Sequence, residues 1–166
     1  MKVGIPPAAS FSMRVSSKAH CGLRMMTEFA KAVERGPLSL GEVSRVEHLP
    51  LAYMEQLAAQ LRRGGLVTST RGVHGGYRLS RAPKEITVLD VVRVVEGEVA
   101  PVECVAHEYV PGTCTRDGGC ASRALWARLK ESIDSVLSGT TLADLVADRS
   151  LVDAFTPLPK SEPVHA

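Results

Sequence analysis

The sequence predicts a mainly α fold with a small β-hairpin wing: a winged helix-turn-helix followed by a long C-terminal helix. Three observations predict it. Two helical patterns meet at a tight turn around His48-Leu49, β-prone flanks enclose the glycine-rich RGVHGG (71–76), and apolar residues recur at helical spacing from Ser122 to Ser138 after a non-periodic stretch.

Each element has a local reason. Residues 1–12 (MKVGIPPAASFS) read as a flexible leader, and Met13 begins the pattern that reads as structure. From Ser17 to Arg35, Ala19, Leu23, Met26, Ala30 and Val33 mark one face of a helix that Gly36-Pro37 stops. Ser39-Leu-Gly-Glu42 is a capping box opening a short helix to about Glu47. After His48-Leu49, Pro50 sits in the first turn of the next helix, where its missing N–H costs little. That helix runs to about Arg63 with Met54, Leu57, Ala58 and Leu61 inward, and Gly64-Gly65 caps it. LVTST (66–70) and YRLSR (77–81) flank the glycine-rich centre of a hairpin. Thr87-Val-Leu-Asp90 caps a helix ending at Gly97. Residues 98–121 lose periodicity, and Ser122–Ser138 resumes as a long helix that Gly139 ends. Thr141-Leu-Ala-Asp144 caps a last short helix. The expected organisation is therefore a leader (1–12), a winged domain (13–97), a cysteine loop (98–121), a dimerisation helix with a short return helix (122–148) and a largely disordered tail (149–166).

Composition narrows the function. At 166 residues, 45% hydrophobic and 23% charged, the chain suits a single folded domain whose core rests on Leu, Val, Ala and Met, since aromatics are 4%. No run of about 18 apolar residues suggests a membrane helix, and the leader lacks the long apolar core of a secretory signal, so a cytoplasmic location is expected. The net charge of +2 conceals an asymmetry: residues 1–81 carry 12 Lys/Arg against 5 Asp/Glu, and residues 82–166 carry 8 against 13. The first half is suited to a polyanion. No phosphate loop, nucleotide fingerprint or catalytic pair is present, so neither an enzyme nor a small-molecule substrate is expected.

In a winged helix-turn-helix the second helix enters the major groove. Tyr53, Glu55, Gln56 and Gln60 fall on its expected outward face. Gln pairs bidentately with adenine, Glu accepts from cytosine N4, and Tyr reaches a phosphate or a methyl group. Arg71 and His74 lie at the wing tip, where an arginine suits the narrow minor groove. Lys18, Arg62, Arg63 and Arg78 are candidates for phosphate contacts. The same pattern also suits a winged helix that binds protein instead of DNA.

Cys104, Cys114 and Cys120 form a C-x9-C-x5-C series in one polar, Gly/Pro-containing loop. Reduced cytosolic thiols so spaced point to a metal centre or redox chemistry. Zinc usually takes C-x2–4-C pairs, which are missing here, whereas iron–sulfur clusters accept looser spacing. Along 122–138, Leu125, Trp126, Leu129, Ile133 and Val136 make an apolar stripe. Its length, and its place after a loop, favour a homodimer interface over packing within one chain.

MRVSSKAHCGLR near the start, LPLAYMEQLAAQLRRGGLV, the wing RGVHGGYRLS, the cysteines and the following CASRALWARLK occur in order over about residues 13–147. Together they resemble the Rrf2-type winged-helix regulators, the group of IscR, NsrR and RirA. The resemblance implies a homodimeric transcription factor, read as a repressor, whose affinity for a double-stranded operator is set by an iron–sulfur cluster sensing redox, nitric oxide or iron and cluster status. It implies that Glu55 helps choose among sites and that Arg71 is the minor-groove arginine. Two departures matter. The nine residues between Cys104 and Cys114 exceed the family's usual interval, which leaves 2Fe–2S and 4Fe–4S both open. Arg123 stands where one branch has a histidine ligand, and it cannot ligate. Another branch donates a carboxylate from the partner's N-terminal helix, so His20 is the leading fourth ligand, with Cys21 and His107 as alternatives. A cluster-free thiol–disulfide switch and a zinc-stabilised protein-interaction module remain the competing expectations.

Overall fold

A computed structural model describes residues 16–72 and 75–147; the expected leader (1–12) and tail (149–166) lie outside the described residues. Among those described, six α-helices surround a two-stranded antiparallel hairpin, the fold the sequence predicts.

Helix α1 (Ser17–Lys31) starts at Ser16, whose hydroxyl accepts the Lys18 and Ala19 N–H groups at 3.1 and 3.3 Å. That hydroxyl also donates to the Glu96 carboxylate. Ala19, Met25, Met26 and Phe29 are buried in the core. Gly22 lets α1 approach helix α4 (Val88–Glu96) closely, because a Cβ there would meet Val95 at 3.3 Å. The helix ends earlier than the periodicity suggests and leaves Val33 half exposed. The cause is tertiary. Gly36, at φ +95°, redirects the chain so that Leu38 exchanges backbone hydrogen bonds of 2.9 and 2.8 Å with Tyr77.

Helix α2 (Leu40–Glu47) forms only the serine half of its expected box, with Ser39 Oγ accepting the Glu42 N–H at 3.1 Å. Its last residue is clamped to α1: Arg24 donates to the Glu47 carboxylate at 2.5 Å and to its carbonyl at 2.7 Å. The turn into helix α3 (Leu51–Arg63) places His48 in the left-handed region at φ 53°, while Ser44 Oγ donates to the Leu49 carbonyl at 2.6 Å. A β-carbon in that region costs about 1–2 kcal/mol, partly offset by glycine's extra unfolded-state entropy. His48→Gly is therefore expected to stabilise the chain by about 0.5–1 kcal/mol, measured by urea unfolding; a loss of stability would contradict it.

Pro50 takes the N-cap of α3, not a place inside its first turn. Met54, Leu57, Ala58 and Leu61 are buried as expected. Gly64, at an ordinary φ, is there for space: a Cβ would come within 2.5 Å of Val94 on α4. Strands β1 (Val67–Thr70) and β2 (Gly76–Leu79) pair Val67 with Leu79 and Ser69 with Tyr77, and the Tyr77 ring stacks on Phe29 at 6.2 Å.

Thr87 and Asp90 form a complete capping box on α4, with bonds of 3.0 and 3.1 Å. The loop that follows holds a short 3-10 turn over Glu103–Val105 that periodicity did not suggest. Helix α5 (Arg123–Gly139) has no buried residue. Helix α6 (Leu142–Ala147) starts at a Thr141–Asp144 box and turns back onto the winged domain. Val88 N–H donates to the Thr140 carbonyl at 2.8 Å and Leu142 N–H to that of Ile86 at 2.9 Å, so Leu142 completes the central core.

Candidate nucleic-acid interface and cysteine loop

The turn at His48 and the buried face of α3 orient that helix so that Glu55 and Gln56 are exposed. Two residues expected beside them sit differently. Tyr53 is half-buried against the core. Partial burial, with the Cys21 thiol alongside and Glu96 nearby, raises its hydroxyl above the ordinary tyrosine value. Gln60 is half-buried too, and its side-chain carbonyl oxygen has no partner among the described residues. Periodicity assigned both outward because it cannot count the neighbours that α1 and α4 bring to the edges of α3.

Arg62, Arg63, Arg71 and Arg78 are all exposed, and among the described residues none meets a carboxylate within ion-pair distance. The Arg62 guanidinium approaches Ser69 Oγ at 3.4 Å, joining the end of α3 to the wing. Lys18 is half-buried on the first turn of α1. His74 lies outside the described residues. From residue 50 to 81 there are five arginines and one glutamate, a face suited to phosphates.

The loop after α4 is held by charges that sequence reading did not anticipate. Glu98 accepts the His107 N–H at 2.7 Å and pairs with Lys130 of α5 at 3.1 Å; Lys130 also meets Asp134 at 2.8 Å. Asp117 accepts the Gly112 N–H at 2.5 Å and pairs with Arg123 at 2.9 Å, and the Arg123 guanidinium lies 5.3 Å from the Tyr109 ring centre. The His107 N–H first, then Lys130, hold the Glu98 carboxyl below its ordinary value, and the Gly112 N–H leads the same effect on Asp117. A depressed carboxyl adds stability that is complete above its unfolded value and is lost as pH falls through the lower folded one. Amide protection at His107 and Gly112 is therefore expected to hold from pH 8 down to the ordinary carboxylate range of about 4 and to be lost only below it, followed by hydrogen exchange. Protection that stays equal below that range would show that the carboxylates do not hold the loop.

The cysteines divide in two. Cys21 is buried in the core, whereas Cys114 is exposed and Cys104 and Cys120 are half-buried on the loop. The Ser122 hydroxyl, 3.3 Å from Cys120 Sγ, together with the Ser122 and Arg123 N–H groups, holds that thiol below its ordinary value. His20 is exposed on α1, and so is His107 on the loop. Thiolates on one polar loop suit an iron–sulfur cluster by donor chemistry. Their placement does not: among the described residues no three His, Cys, Asp or Glu side chains are gathered to hold a metal ion.

Along α5, Leu125 and Val136 are 59% and 67% exposed, while Trp126, Leu129 and Ile133 are half-buried. A shallow groove lined by Ser132, Ile133, Val136 and Leu137 runs beside them. No helix among the described residues is long and apolar enough to cross a membrane.

Known proteins match nearly all of this. The family model described as Rrf2, iron-dependent transcriptional regulator, matches residues 15–148. The HTH-type transcriptional regulator CymR of Bacillus subtilis (strain 168) is 40% identical over 135 residues, 81% of this chain and 91% of the relative. The regulator IscR of Klebsiella pneumoniae (strain 342) is 34% identical over 141 residues, 85% of this chain and 84% of the relative. The solved structure of CymR, described as the global cysteine regulator of B. subtilis, aligns with a TM-score of 0.68 over 82% of this chain and 98% of that one. The family and these relatives are transcriptional regulators, not enzymes.

Proposed function

This chain belongs to the Rrf2 family of transcriptional regulators, and on that premise we propose that it is a homodimeric repressor whose hold on double-stranded operator DNA is set by an iron–sulfur cluster on its cysteine loop. The signal read there is redox state, nitric oxide, or iron and cluster supply. One observation carries the reading: three thiols kept out of the core lie on a loop that runs directly into a helix with no buried residue. On α3 and the wing the chain presents four exposed arginines, Arg62, Arg63, Arg71 and Arg78, free of carboxylate partners among the described residues.

Glu55 and Gln56 would face base edges, Arg71 the minor groove beyond the wing, and Arg62, Arg63 and Arg78 the phosphates. Cys104, Cys114 and Cys120 would hold the cluster, with His20 of the partner subunit as fourth donor. His107 is the alternative already on the loop; Cys21 is disfavoured because using it would mean opening the core. A bound cluster would supply a redox-active centre whose potential the surrounding loop tunes. The chain's own part is mechanical. Gathering the three thiols requires the loop to move, and the Asp117–Arg123 and Glu98–Lys130 pairs resist that movement and pass it to α5. Two recognition helices must meet half-sites about 34 Å apart, so a small shift in α5 pairing becomes a large change in affinity.

The test is an absorption spectrum with iron and acid-labile sulfide assays on anaerobically purified protein, followed by binding to DNA selected from a random library. Iron and sulfide in comparable amounts, with affinity differing between loaded and stripped protein, are expected. Protein that stays colourless after reconstitution would remove the cluster and leave the DNA-binding reading standing. A second reading, a thiol–disulfide switch without metal, is favoured by the depressed Cys120 thiol on a loop that carries two more thiols outside the core.

A further inference from the structure

The first turn of α3 carries an apolar edge that neither the core nor the base contacts above use. Leu51 is 44% exposed and lies outside the core, and Ala52 and Pro50 beside it are exposed as well. A helix start usually places Ser, Thr, Asp or Asn here; this one has Pro50 and no side-chain capping bond. No hydroxyl or amide therefore projects from positions 50–52 to hydrogen-bond a base. Yet this turn shares a helix face with the polar readers: Leu51 lies one turn before Glu55, and Ala52 one turn before Gln56. The exposed arginines at the far end of α3 and on the wing bias the whole face toward a polyanion.

Resting on the DNA-binding reading above, we propose that Leu51 and Ala52 are specificity-determining residues that read thymine C5-methyl groups in the major groove. The thymine methyl is the only apolar group that base pairs present there, and contact with small apolar side chains selects for it. One helical turn advances about 5.4 Å and one base step about 3.4 Å. The thymine met by Leu51 thus falls within one or two steps of the base met by Glu55, which accepts from cytosine N4. Each half-site is expected to hold a thymine within one or two steps of a cytosine, with the thymine discriminated by its methyl group alone.

The experiment uses the full chain, loaded and stripped of iron, and duplexes enriched from a random library. Each thymine is replaced in turn by deoxyuridine, which removes the methyl and keeps every hydrogen bond. At one or two positions per half-site, uracil should weaken binding about fourfold, the value of one buried methyl-sized group. Leu51→Ala should abolish the penalty at one of those positions and leave the salt dependence of binding unchanged; thermal melts of this exposed-site variant check its folding. Tight, sequence-specific binding that tolerates uracil everywhere would overturn the proposal alone. So would a Leu51→Ala variant that keeps the full uracil penalty. Failure to enrich any sequence would overturn the DNA-binding reading and this proposal with it.

Discussion

Replacing Leu125 and Ile133 together by glutamate is expected to turn the protein into monomers and to lower operator affinity by about 100-fold or more. Helix α5 has 17 residues and no buried one, and its stripe leaves Leu125 and Val136 more than half exposed. An apolar stripe that long, left uncovered, is an aggregation hazard, so it needs a partner. On the homodimer proposed above, a second copy of α5 would supply the same stripe under two-fold symmetry. Two charges introduced into that seam would remain buried and unpaired if the dimer persisted. Monomers must then find each half-site separately, losing the effective concentration that linked binding provides, a factor of about 10² to 10⁴. The fold should survive, because neither residue packs on the central core, whereas Leu137 does and is left unchanged. Light scattering and fluorescence anisotropy read the two halves of the prediction. A double variant that stays dimeric with unchanged affinity would assign α5 some other role.

The features legible in the sequence are those whose physics is local. The Thr87–Asp90 and Thr141–Asp144 boxes are side-chain-to-backbone bonds within three residues, and both form. The buried face of α3 follows from spacing alone. What escaped depends on remote neighbours. The end of α1 is decided by Leu38 pairing with Tyr77, and the inward turn of Tyr53 by the Cys21 and Glu96 side of the core. The short return helix itself is legible, but its seat on α1 is fixed by backbone bonds at Ile86 and Val88. At the candidate site, the sequence spacing of the cysteines could be read, but not that no three donors are gathered among the described residues. The same loop is pinned to α5 by Asp117–Arg123 and Glu98–Lys130, ion pairs with no periodic signature. Arg123, which in the sequence only registers as a missing ligand, proves to be half of the loop's clasp.

Changing Cys104, Cys114 and Cys120 together to serine is expected to produce a folded regulator that binds operator at one fixed affinity. All three lie outside the core, so the melting temperature should change little. The response to anaerobic loading and oxidation, a coupling of about 5- to 150-fold for typical allosteric proteins, should vanish. Single variants then separate the two readings of the loop. A cluster uses every thiolate, so each serine variant should lose iron, sulfide and the affinity response alike. A thiol switch uses only a pair, so one of the three variants should remain fully responsive. Cys120, whose thiol the Ser122 hydroxyl and backbone N–H groups hold down, is the first of the three to test as a member of that pair. His20→Ala adds a second axis: iron lost with all cysteines intact supports a histidine donor, and full retention removes it. Cys21→Ser serves as the control, because it strikes the core and should lower stability by about 1–3 kcal/mol while leaving the iron content of the folded protein unchanged. Iron lost from folded Cys21→Ser protein, with His20→Ala silent, would shift the fourth ligand to Cys21 and require α1 to open when the cluster binds.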